Sequence, residues 1–427
     1  MLRGGRPFIG GPARPPPWYT HGMRVVFLAP LYPPEMQQYT RGLAEVGAEV
    51  YGVADTPREA VPPSVRPYLR DYLQVPRIMD EDDVIARVSR WLRGKSIDRV
   101  VTNWEPLVVT AARLRERWGM PGMSVDTARG FRDKQLMKDR VRAAGLRVPQ
   151  SRRVRGEREI RAAAEEIGYP VIVKPIDGAG SANTYKATND KELDELIPRM
   201  RGVPECICEE FIEGEEFTFD TVCIEGRPAF ENIAAYLPKP LEMRTIEWIS
   251  PVIITVRDMY QPRLRGGVTL GRKVLGALGM DDGFTHMEWY LTAKGEAVFG
   301  EIGCRPGGAC LVDQMNYTCD IDLFREWARV VCYGRFEAST KRKYNAGIVF
   351  KRALGEGRIT RIEGLEAWLR ACGDWVTDEQ LLRPGTPRRN WKNTLLSDGW
   401  VHVRHPEWAE AHRMAFAAAS GIQMYAE

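Results

Sequence analysis

The sequence lacks the cysteine spacings that build disulfide frameworks and zinc sites. Eight cysteines are spread over 427 residues, and none of them forms a Cys-x-x-Cys pair. Cys206 and Cys208 lie on one face of a predicted strand, but no second pair or nearby histidine completes a zinc set. We therefore expect the cysteines to be small buried hydrophobic residues in a reducing cytoplasm.

The chain also has little excess charge and no long apolar run. Its 61 Lys and Arg residues stand against 57 Asp and Glu residues, a formal net charge of +4. This near balance gives no reason to expect a nucleic-acid partner, although small anionic ligands remain open. No run of about 18 apolar residues is present, so we expect no membrane partner and a cytoplasmic protein.

Two common nucleotide-binding signatures are missing. The turn after the first predicted strand, at residues 30–34, reads PLYPP, without the glycines that bind a dinucleotide. A glycine-bearing loop does occur at residues 177–183, but its lysine precedes the glycines, unlike that of the GxxxxGK[ST] phosphate loop. The first domain is therefore not expected to hold NAD.

Residues 1–22 are rich in Arg, Gly and Pro and lack the continuous apolar core of a signal peptide. We expect them to be disordered or dispensable. Met23 stands directly before a predicted strand, which favours an over-extended start site; a flexible tail is the alternative.

The length of the chain and its apolar periodicity predict several domains. Residues 23–125 alternate short apolar strands with helices, a pattern typical of an open α/β sheet with right-handed crossovers. The predicted strands are 23–29, 49–54, 71–75 and 99–102, and the predicted helices are 35–46, 82–92 and 106–118. From residue 345 onward, strands and helices mix in a way that predicts a small α+β lobe.

The most informative stretch, residues 283–308, reads as a β-hairpin followed by Arg-Pro-Gly-Gly. Glu288 lies mid-strand among apolar and aromatic neighbours, and Glu301 ends the second strand. Buried carboxylates need a partner, and two that converge favour Mg²⁺, with phosphate oxygens completing the coordination. An edge hairpin with two solvent-facing glutamates is the alternative. His286 shares the strand face of Glu288, and we interpret it as a structural, hydrogen-bonding histidine.

Two lysines and a small-residue loop precede the hairpin in the chain. Residues 126–145 predict one helix, on which Lys134 and Lys138 share a face. Lys174 ends an apolar strand, and the loop after it can present backbone N–H groups to phosphate oxygens. A solvated helix surface and a plain glycine-rich turn are the alternative interpretations.

Glu209 and Glu216 lie on either side of a strand break at Gly214. The break lets a strand edge and a carboxylate approach one ligand from two sides. Charged strand edges that oppose aggregation are the alternative explanation of the same pattern.

The order of these signals resembles the ATP-grasp superfamily of ligases, in particular its carboxylate–amine ligase branch. The resemblance covers residues 126–333 in detail. It implies a Rossmann-like domain at residues 23–125, a two-lobed ATP-grasp domain at 126–340 with a mobile lid lobe at about 146–205, and a C-terminal α+β lobe at 341–427.

The resemblance also assigns roles to individual residues. Glu288 and Glu301 match the metal-bridging pair, and Arg305 matches the arginine that steadies the acyl phosphate or the substrate carboxylate. Gly303 stands where the family often has a metal-ligating asparagine, so we expect one or two Mg²⁺ ions, with Mn²⁺ as an alternative. The residues that match the ATP-binding positions are Lys134, Lys174, Gly180, Ser181, Glu209, Glu210, Phe211, Ile212 and Glu216.

The basic, proline-rich segment at residues 237–248 reads as an ordered loop, which would face the hairpin in such a fold. We hypothesise that Lys239, Arg244 and Trp248 help to hold the acceptor substrate, with Lys239 counted among the catalytic residues. Gly307 and Gly308, which follow Arg305, are further candidates for substrate contact. A plain surface loop is the alternative for this segment.

The implied reaction is ATP-dependent: a substrate carboxylate is activated as an acyl phosphate, and an amine then displaces phosphate to form an amide. The expected partners are a small acid and a small amine; many members of the family are dimers, so a homodimer is an open alternative. Two rival functions stay open, namely biotin-carboxylase-like carboxylation with bicarbonate and a regulatory ATP-binding protein without turnover. No biotin-carrying segment is visible, which disfavours a self-contained carboxylase.

Overall fold

The computed structural model describes residues 22–178 and 183–427 of the chain. The expectation of a disordered or over-extended N-terminus concerns residues 1–22, and 1–21 lie outside the described residues. Gly180 and Ser181, predicted to bind phosphate, lie outside them too.

The described chain begins with a four-stranded parallel sheet in the strand order β3-β2-β1-β4. Its strands are β1 (Arg24–Leu28), β2 (Glu49–Ala54), β3 (Leu69–Gln74) and β4 (Arg99–Val101). The helices of this region are α1 (Met36–Glu45), α2 (Glu81–Trp91) and α3 (Val108–Trp118). Parallel strands are typically covered on both faces, which is why β1 is apolar and buried at every residue after Arg24. The predicted Rossmann-like fold class is confirmed.

The single helix predicted at residues 126–145 is wrong: the structure has two helices there. Helix α4 (Val125–Gly130) ends first, and α5 (Lys134–Ala143) begins after Asp133. The Asp133 carboxylate accepts hydrogen bonds from two backbone N–H groups of the first turn of α5, at 3.1 and 3.0 Å. A capping aspartate of this kind starts a new helix and makes Lys134 its first residue.

The next region is an antiparallel sheet in the order β5-β8-β6-β7, packed against two helices. Its strands are β5 (Ser151–Val154), β6 (Val171–Pro175), β7 (Tyr185–Ala187) and β8 (Cys206–Glu210). Its helices are α6 (Gly156–Ile167) and α7 (Asp190–Leu196). This sheet forms the body of the lobe predicted to be a lid.

A nine-stranded sheet is the centre of the molecule, and its main path runs β14-β13-β9-β11-β12-β15-β19-β18, with β10 beside β9. The strands from the middle of the chain are β9 (Glu215–Ile224), β10 (Arg227–Asn232), β11 (Ala234–Leu237), β12 (Val252–Thr255), β13 (Gly283–Leu291) and β14 (Ala297–Gly303). The C-terminal region adds β15 (Asn345–Phe350), β18 (Val376–Glu379) and β19 (Trp400–His405). Because β12 pairs with β15, the C-terminal lobe continues the central sheet.

The other helices are α8 (Pro240–Thr245), α9 (Arg265–Leu278), α10 (Leu311–Cys319), α11 (Leu323–Tyr333), α12 (Leu365–Cys372) and α13 (Trp408–Gly421). A small sheet is formed by β16 (Leu354–Gly355), β17 (Ile359–Glu363) and β20 (Gln423–Ala426). Helix α9 lies so close to the central sheet that a Cβ at Gly271 would come within 2.2 Å of the Phe219 ring. Glycine is therefore required where this helix crosses the strand.

The N-terminal sheet is docked onto the central domain through helices α1 and α11, which share one apolar core. Tyr39 of α1 packs edge-on against Phe324 and Trp327 of α11. Gly42 completes the contact, because a Cβ there would lie 2.5 Å from the carbonyl oxygen of Phe324. This docking fixes the position of the N-terminal domain over the hairpin.

All eight cysteines are free; seven are buried and Cys310 is half-buried. The described helices include none with the length and apolar character that crossing a membrane requires.

Candidate active site

The predicted hairpin is formed by β13 and β14, and it places Glu288 directly opposite Glu301. β13 is an inner strand, paired with β9 on its other side, so the edge-hairpin alternative is wrong for Glu288. A bulge follows the pair, at Gly300, where a Cβ would lie 2.8 Å from the Glu288 carbonyl oxygen. The two carboxylates therefore lie side by side on one face of the sheet.

Three lysines surround these carboxylates and the nearby Glu209. The Lys174 Nζ lies 2.9 Å from Glu209 Oε1 and 3.1 Å from Glu301 Oε2. The Lys138 Nζ, fully buried, lies 2.9 Å from Glu209 Oε2 and 3.0 Å from the carbonyl oxygen of Gly300. The Lys134 Nζ lies 3.8 Å from Glu301 Oε2 and donates to the carbonyl oxygen of Gly178. A single charged network thus joins α5, the lid sheet and the hairpin.

Glu209 and Glu216 are both more than nine-tenths buried. Their predicted alternative role, as charged strand edges facing water, is therefore wrong. Glu209 is held between Lys138 and Lys174, whereas Glu216 lies on β9 opposite Tyr290 of β13.

The carboxylates differ in how far their charge is balanced. Burial raises the pKa of Glu301, but Lys134, Lys174 and Lys138 more than offset this and hold that pKa well below its usual range. Burial raises the pKa of Glu288, and the charge of Glu301 raises it further. Burial and then the charge of Glu288 raise the pKa of Glu216 well above its ordinary value. The three lysines thus offset the burial of Glu301, whereas nothing on this face fully offsets the burial of Glu288 and Glu216.

This donor set fits a divalent cation. Magnesium takes one or two protein carboxylates and completes its shell with water and phosphate oxygens. Among residues 22–178 and 183–427, no three His, Cys, Asp or Glu residues form a self-sufficient metal site. An ion held by Glu288 and Glu301 would therefore need oxygens from a bound ligand.

His286 lies beside this pair, with its Nδ1 2.6 Å from Asp220 Oδ1 and its Nε2 3.8 Å from Glu288 Oε1. Asp220 is itself held by the Thr218 hydroxyl at 2.7 Å and the Asn232 amide at 3.1 Å. The structural, hydrogen-bonding histidine predicted from the sequence is consistent with this arrangement.

Arg305 is held by a residue that the sequence did not suggest. Its Nε donates to Glu105 Oε2 at 2.8 Å, and the Arg132 Nη1 donates to Glu105 Oε1 at 2.6 Å. Burial raises the pKa of Glu105, but Arg305 and Arg132 more than offset it and lower that pKa below its ordinary value. Glu105 comes from the N-terminal domain, about 200 residues before Arg305, so no local pattern could have linked them.

The same pair explains the glycine at position 303. A Cβ there would lie 3.2 Å from Arg305 Cγ and 3.7 Å from Glu105 Oε2. The Arg305–Glu105 pair therefore occupies the space into which an asparagine side chain would extend.

Two cavities meet at the carboxylate pair. The first cavity lies between the lid sheet and the central sheet, and the second lies between the hairpin, α8 and the C-terminal lobe. Lys134, Pro240, Glu288 and Glu301 line both of them. Ligands in the two cavities would therefore meet at these carboxylates.

Most of the predicted ATP-binding residues line the first cavity. They are Lys134, Lys174, Glu209, Glu210, Phe211, Ile212 and Glu216. Lys239 lines this cavity as well, with its Nζ 5.8 Å from the centre of the Phe211 ring. The structure thus separates Lys239 from the acceptor group in which the sequence placed it.

Arg305, Arg244 and Gly308 line the second cavity. Gly307 lies beside it, where a Cβ would come within 3.1 Å of His286 Nδ1. Trp248 is 78% exposed and is not among the residues that line the two cavities. Apart from Glu105 and Arg132, the residues of this cavity that the sequence missed are mostly apolar.

A family model described as an ATP-grasp domain matches residues 131–231. The L-arginine-specific L-amino acid ligase of Bacillus subtilis is 27% identical over 290 residues, which cover 66% of this chain and 69% of that protein. The alanine–anticapsin ligase of Bacillus subtilis (strain 168) is 26% identical over 277 residues, or 60% of this chain and 58% of that protein. The solved structure of an L-amino acid ligase from Bacillus licheniformis superposes with a TM-score of 0.76 at 18% identity, covering 95% of this chain and 99% of that one.

The family model and the fold show an ATP-grasp domain. The chain is similar to carboxylate–amine ligases of this kind, which form C–N bonds. The resemblance inferred from the order of the motifs is confirmed.

Proposed function

We propose that the protein joins the carboxylate of one amino acid to the amine of another, with cleavage of ATP to ADP and phosphate. The observation that carries this proposal is the meeting of two cavities at Glu288, Glu301 and Lys134. The first cavity carries the lysines that a nucleotide needs, and the second, lined by Arg305 and apolar residues, would take the small organic substrates. The amino-acid substrates follow the names of the relatives, which are L-amino acid ligases.

The first cavity would hold ATP. Lys134 and Lys174 would bind its phosphates, since lysine is a compact cation suited to phosphate oxygens. The segment from Glu209 to Ile212 would contact the adenine, and Glu216 the ribose hydroxyls. Lys239, beside Phe211 on the same cavity, joins the ATP side of the site in this proposal. Gly180 and Ser181 keep their proposed role in covering the phosphates.

Glu288 and Glu301 would hold one or two Mg²⁺ ions, with Mn²⁺ as an alternative. When bound, the ion neutralises phosphate charge and orients the γ-phosphate. Tyr236, whose hydroxyl donates to Glu288 Oε1 at 3.2 Å, would fix the orientation of that carboxylate.

The first chemical step would be attack of the donor carboxylate oxygen on the γ-phosphorus of ATP. The bond from that phosphorus to the β–γ bridging oxygen breaks, and ADP leaves with the electron pair. Such a step asks the protein mainly for positioning and charge neutralisation. Arg305, held in place by Glu105, would bind the donor carboxylate and then the acyl phosphate.

In the second step the amine nitrogen of the acceptor would attack the acyl carbon. The carbon–oxygen bond to phosphate breaks, phosphate leaves with the electron pair, and the nitrogen loses its proton. Both steps need water kept away from the acyl phosphate, which the apolar walls of the second cavity provide.

The test is incubation of the full-length protein with ATP, Mg²⁺ and a pool of L-amino acids, followed by phosphate measurement and mass spectrometry. We expect phosphate release that requires amino acids, and products whose mass is the sum of two amino acids minus one water. Glu301→Gln should abolish both, whereas Glu296→Gln, an exposed glutamate of the same hairpin, should leave them unchanged.

Two results would contradict the proposal. Phosphate release that depends on bicarbonate and not on an amine would indicate carboxylation. ATP binding without any phosphate release across the whole pool would indicate a regulatory protein.

A further inference from the structure

Helix α8 is the wall between the two cavities. Leu241, Glu242 and Thr245 line the first cavity, whereas Met243 and Arg244 line the second. This short helix therefore presents one face to each ligand, and Arg244 is the cation that it presents to the second.

The wall of the second cavity near Arg244 is mostly apolar. Its apolar residues are Met243, Pro251, Ile253, Leu311, Phe350 and Leu395. Leu395 belongs to the C-terminal region, so that lobe contributes directly to the cavity. Glu288, Glu301 and Arg305, at which we propose the reaction takes place, line the same cavity.

Arg352 is the second arginine in this part of the cavity, and its donors are already used. Its NH2 donates to the carbonyl oxygen of Met243 at 2.8 Å and its NH1 to that of Ile246 at 2.9 Å. Its guanidinium also lies 4.6 Å from the centre of the Trp391 ring. Arg352 thus ties the α8 segment to the C-terminal lobe and has little capacity left for a ligand.

Arg244 differs because most of its donors are unused. Its Nη2 donates to the carbonyl oxygen of Lys392 at 2.9 Å, and the described part of the chain offers it no carboxylate within ion-pair distance. Two acids of this region, Glu247 and Asp398, both pair with Arg388. A guanidinium has five N–H donors, so four of those on Arg244 have no acceptor among the described residues.

The charge of Arg244 is also poorly balanced. Arg244 is half-buried, and burial lowers its pKa. Burial and then the like charge of Arg244 lower the pKa of Arg352 to about 10. A half-buried cation without a counter-charge is unfavourable, and a bound anion would relieve it.

We propose that Arg244 binds a carboxylate of the substrate that does not react, and so makes the enzyme selective for substrates that carry one. This inference rests on the proposed ligase function and names the chemistry that its second cavity selects. Two sources of the carboxylate share this chemistry: the α-carboxylate of an acceptor amino acid, and a side-chain carboxylate of the acceptor.

The test compares the wild-type enzyme with Arg244→Gln on paired acceptors. The first pair compares each accepted amino acid with its α-carboxamide and so varies the α-carboxylate. The second pair compares L-glutamate with L-glutamine and so varies the side-chain carboxylate. A charge-assisted hydrogen bond supports a preference of roughly 10- to 100-fold in kcat/KM for the carboxylate member of one pair. Arg244→Gln should remove that preference by raising KM, with kcat changed less than about 3-fold. The acceptor pair for which Arg244→Gln loses the preference identifies which carboxylate Arg244 binds.

Arg257→Gln is the matched control. Arg257 is also half-buried and has no described ion pair, but it lines a separate cavity on the opposite face of the central sheet. Its replacement should leave both preferences unchanged. Arg244→Lys keeps the positive charge and should retain part of the preference. This variant tests the role of the charge even if Arg244→Gln does not fold.

A binding measurement separates failure of this inference from failure of the proposed function. Calorimetric titration of the full-length protein with glutarate, which has two carboxylates and no amine, needs no turnover. We expect Arg244→Gln to weaken glutarate binding at least 10-fold. Equal binding by both proteins, or absence of binding to the wild type, would overturn the inference even if ligation occurs. If no amino-acid pair is ligated while glutarate binding depends on Arg244, the ligase proposal fails and the carboxylate site stands.

Discussion

The two cavities that meet at Glu288 and Glu301 differ in whether the cations beside them are paired with protein carboxylates. Lys174, which lines the first cavity, and the buried Lys138 each lie 2.9 Å from a carboxylate oxygen of Glu209. Arg244, which lines the second cavity, has one carbonyl acceptor among the described residues and lies near another cation, Arg352. The difference indicates that the first cavity is pre-organised for a polyanion by charges already fixed within the protein, whereas the second leaves a charge for its ligand to balance.

The largest effect should come from breaking the network of the first cavity with Lys174→Met. This removes the cation that bridges Glu209 and Glu301 and that we propose binds ATP. We expect activity to fall roughly 10³-fold, or about 4 kcal/mol of transition-state stabilisation, measured as ADP formation under saturating amino acids.

Lys191→Met, an exposed lysine on α7 of the same lobe, is the control for this change. Thermal unfolding of both variants shows whether the fold survives. A Lys174→Met protein that folds and keeps more than a tenth of the activity would contradict a phosphate-binding role.

A buried lysine that lines neither of these two cavities sharpens the comparison, because no ligand bound in them would balance its charge. Lys351 is 2% exposed and donates to the Ala419 carbonyl at 2.6 Å and the Ser250 hydroxyl at 2.9 Å. Burial lowers its pKa to about 8. Below pH 8 this lysine is protonated in both the folded and the unfolded chain, so the folded state bears the full cost of burying its charge.

As pH rises from about 8 towards the ordinary lysine pKa, the folded chain releases this proton first, so its stability should rise. We expect the free energy of unfolding of the wild type to gain roughly 2–3 kcal/mol relative to Lys351→Met between pH 7 and pH 10. Urea unfolding across this range measures the difference, with Lys294→Met as an exposed control. A difference that stays constant with pH would show that the hydrogen bonds keep Lys351 charged.

The smallest effect should come from Glu105→Gln, which weakens the positioning of Arg305 while leaving an acceptor in place. We expect kcat to fall about 10-fold, since the variant loses the charge that holds Arg305 and Arg132 but keeps a hydrogen bond. The KM for ATP should stay within about 2-fold, because Glu105 lines only the second cavity.

Glu81→Gln is the matched control, since Glu81 also pairs with an arginine, Arg113, within the N-terminal domain. A purely structural role for Glu105 would lower the unfolding temperature without changing kcat. That outcome would remove the argument that the N-terminal domain helps to build the site.

Local patterns in the sequence predicted much of the fold, and they predicted the paired glutamates and the lysines of the site. The alternating residues on each side of the turn at 293–296 predicted the hairpin, and antiparallel pairing then placed Glu288 opposite Glu301. The spacing of Lys134 and Lys138 predicted a shared helix face. It did not predict that Asp133 begins that helix, although an aspartate before a helical run is a recognisable start signal.

The remainder of the site depends on contacts between distant parts of the chain. Glu105 joins Arg305 only because α1 docks on α11 and carries the N-terminal sheet over the hairpin. Lys239 and Arg244, five residues apart, face different cavities because a helix intervenes where the sequence suggested a loop. Trp248, grouped with them by composition, is exposed to solvent.

The sequence by itself determined most of the strands and helices, the carboxylate pair and the resemblance to ATP-grasp ligases, because hydrophobic periodicity and turn residues act over a few neighbouring positions. Only the tertiary structure decided which charges are balanced. Arg305 meets Glu105, and Arg244 meets no acid in the described part of the chain, because of how separately folded elements pack. That packing is set by cores assembled from residues hundreds of positions apart.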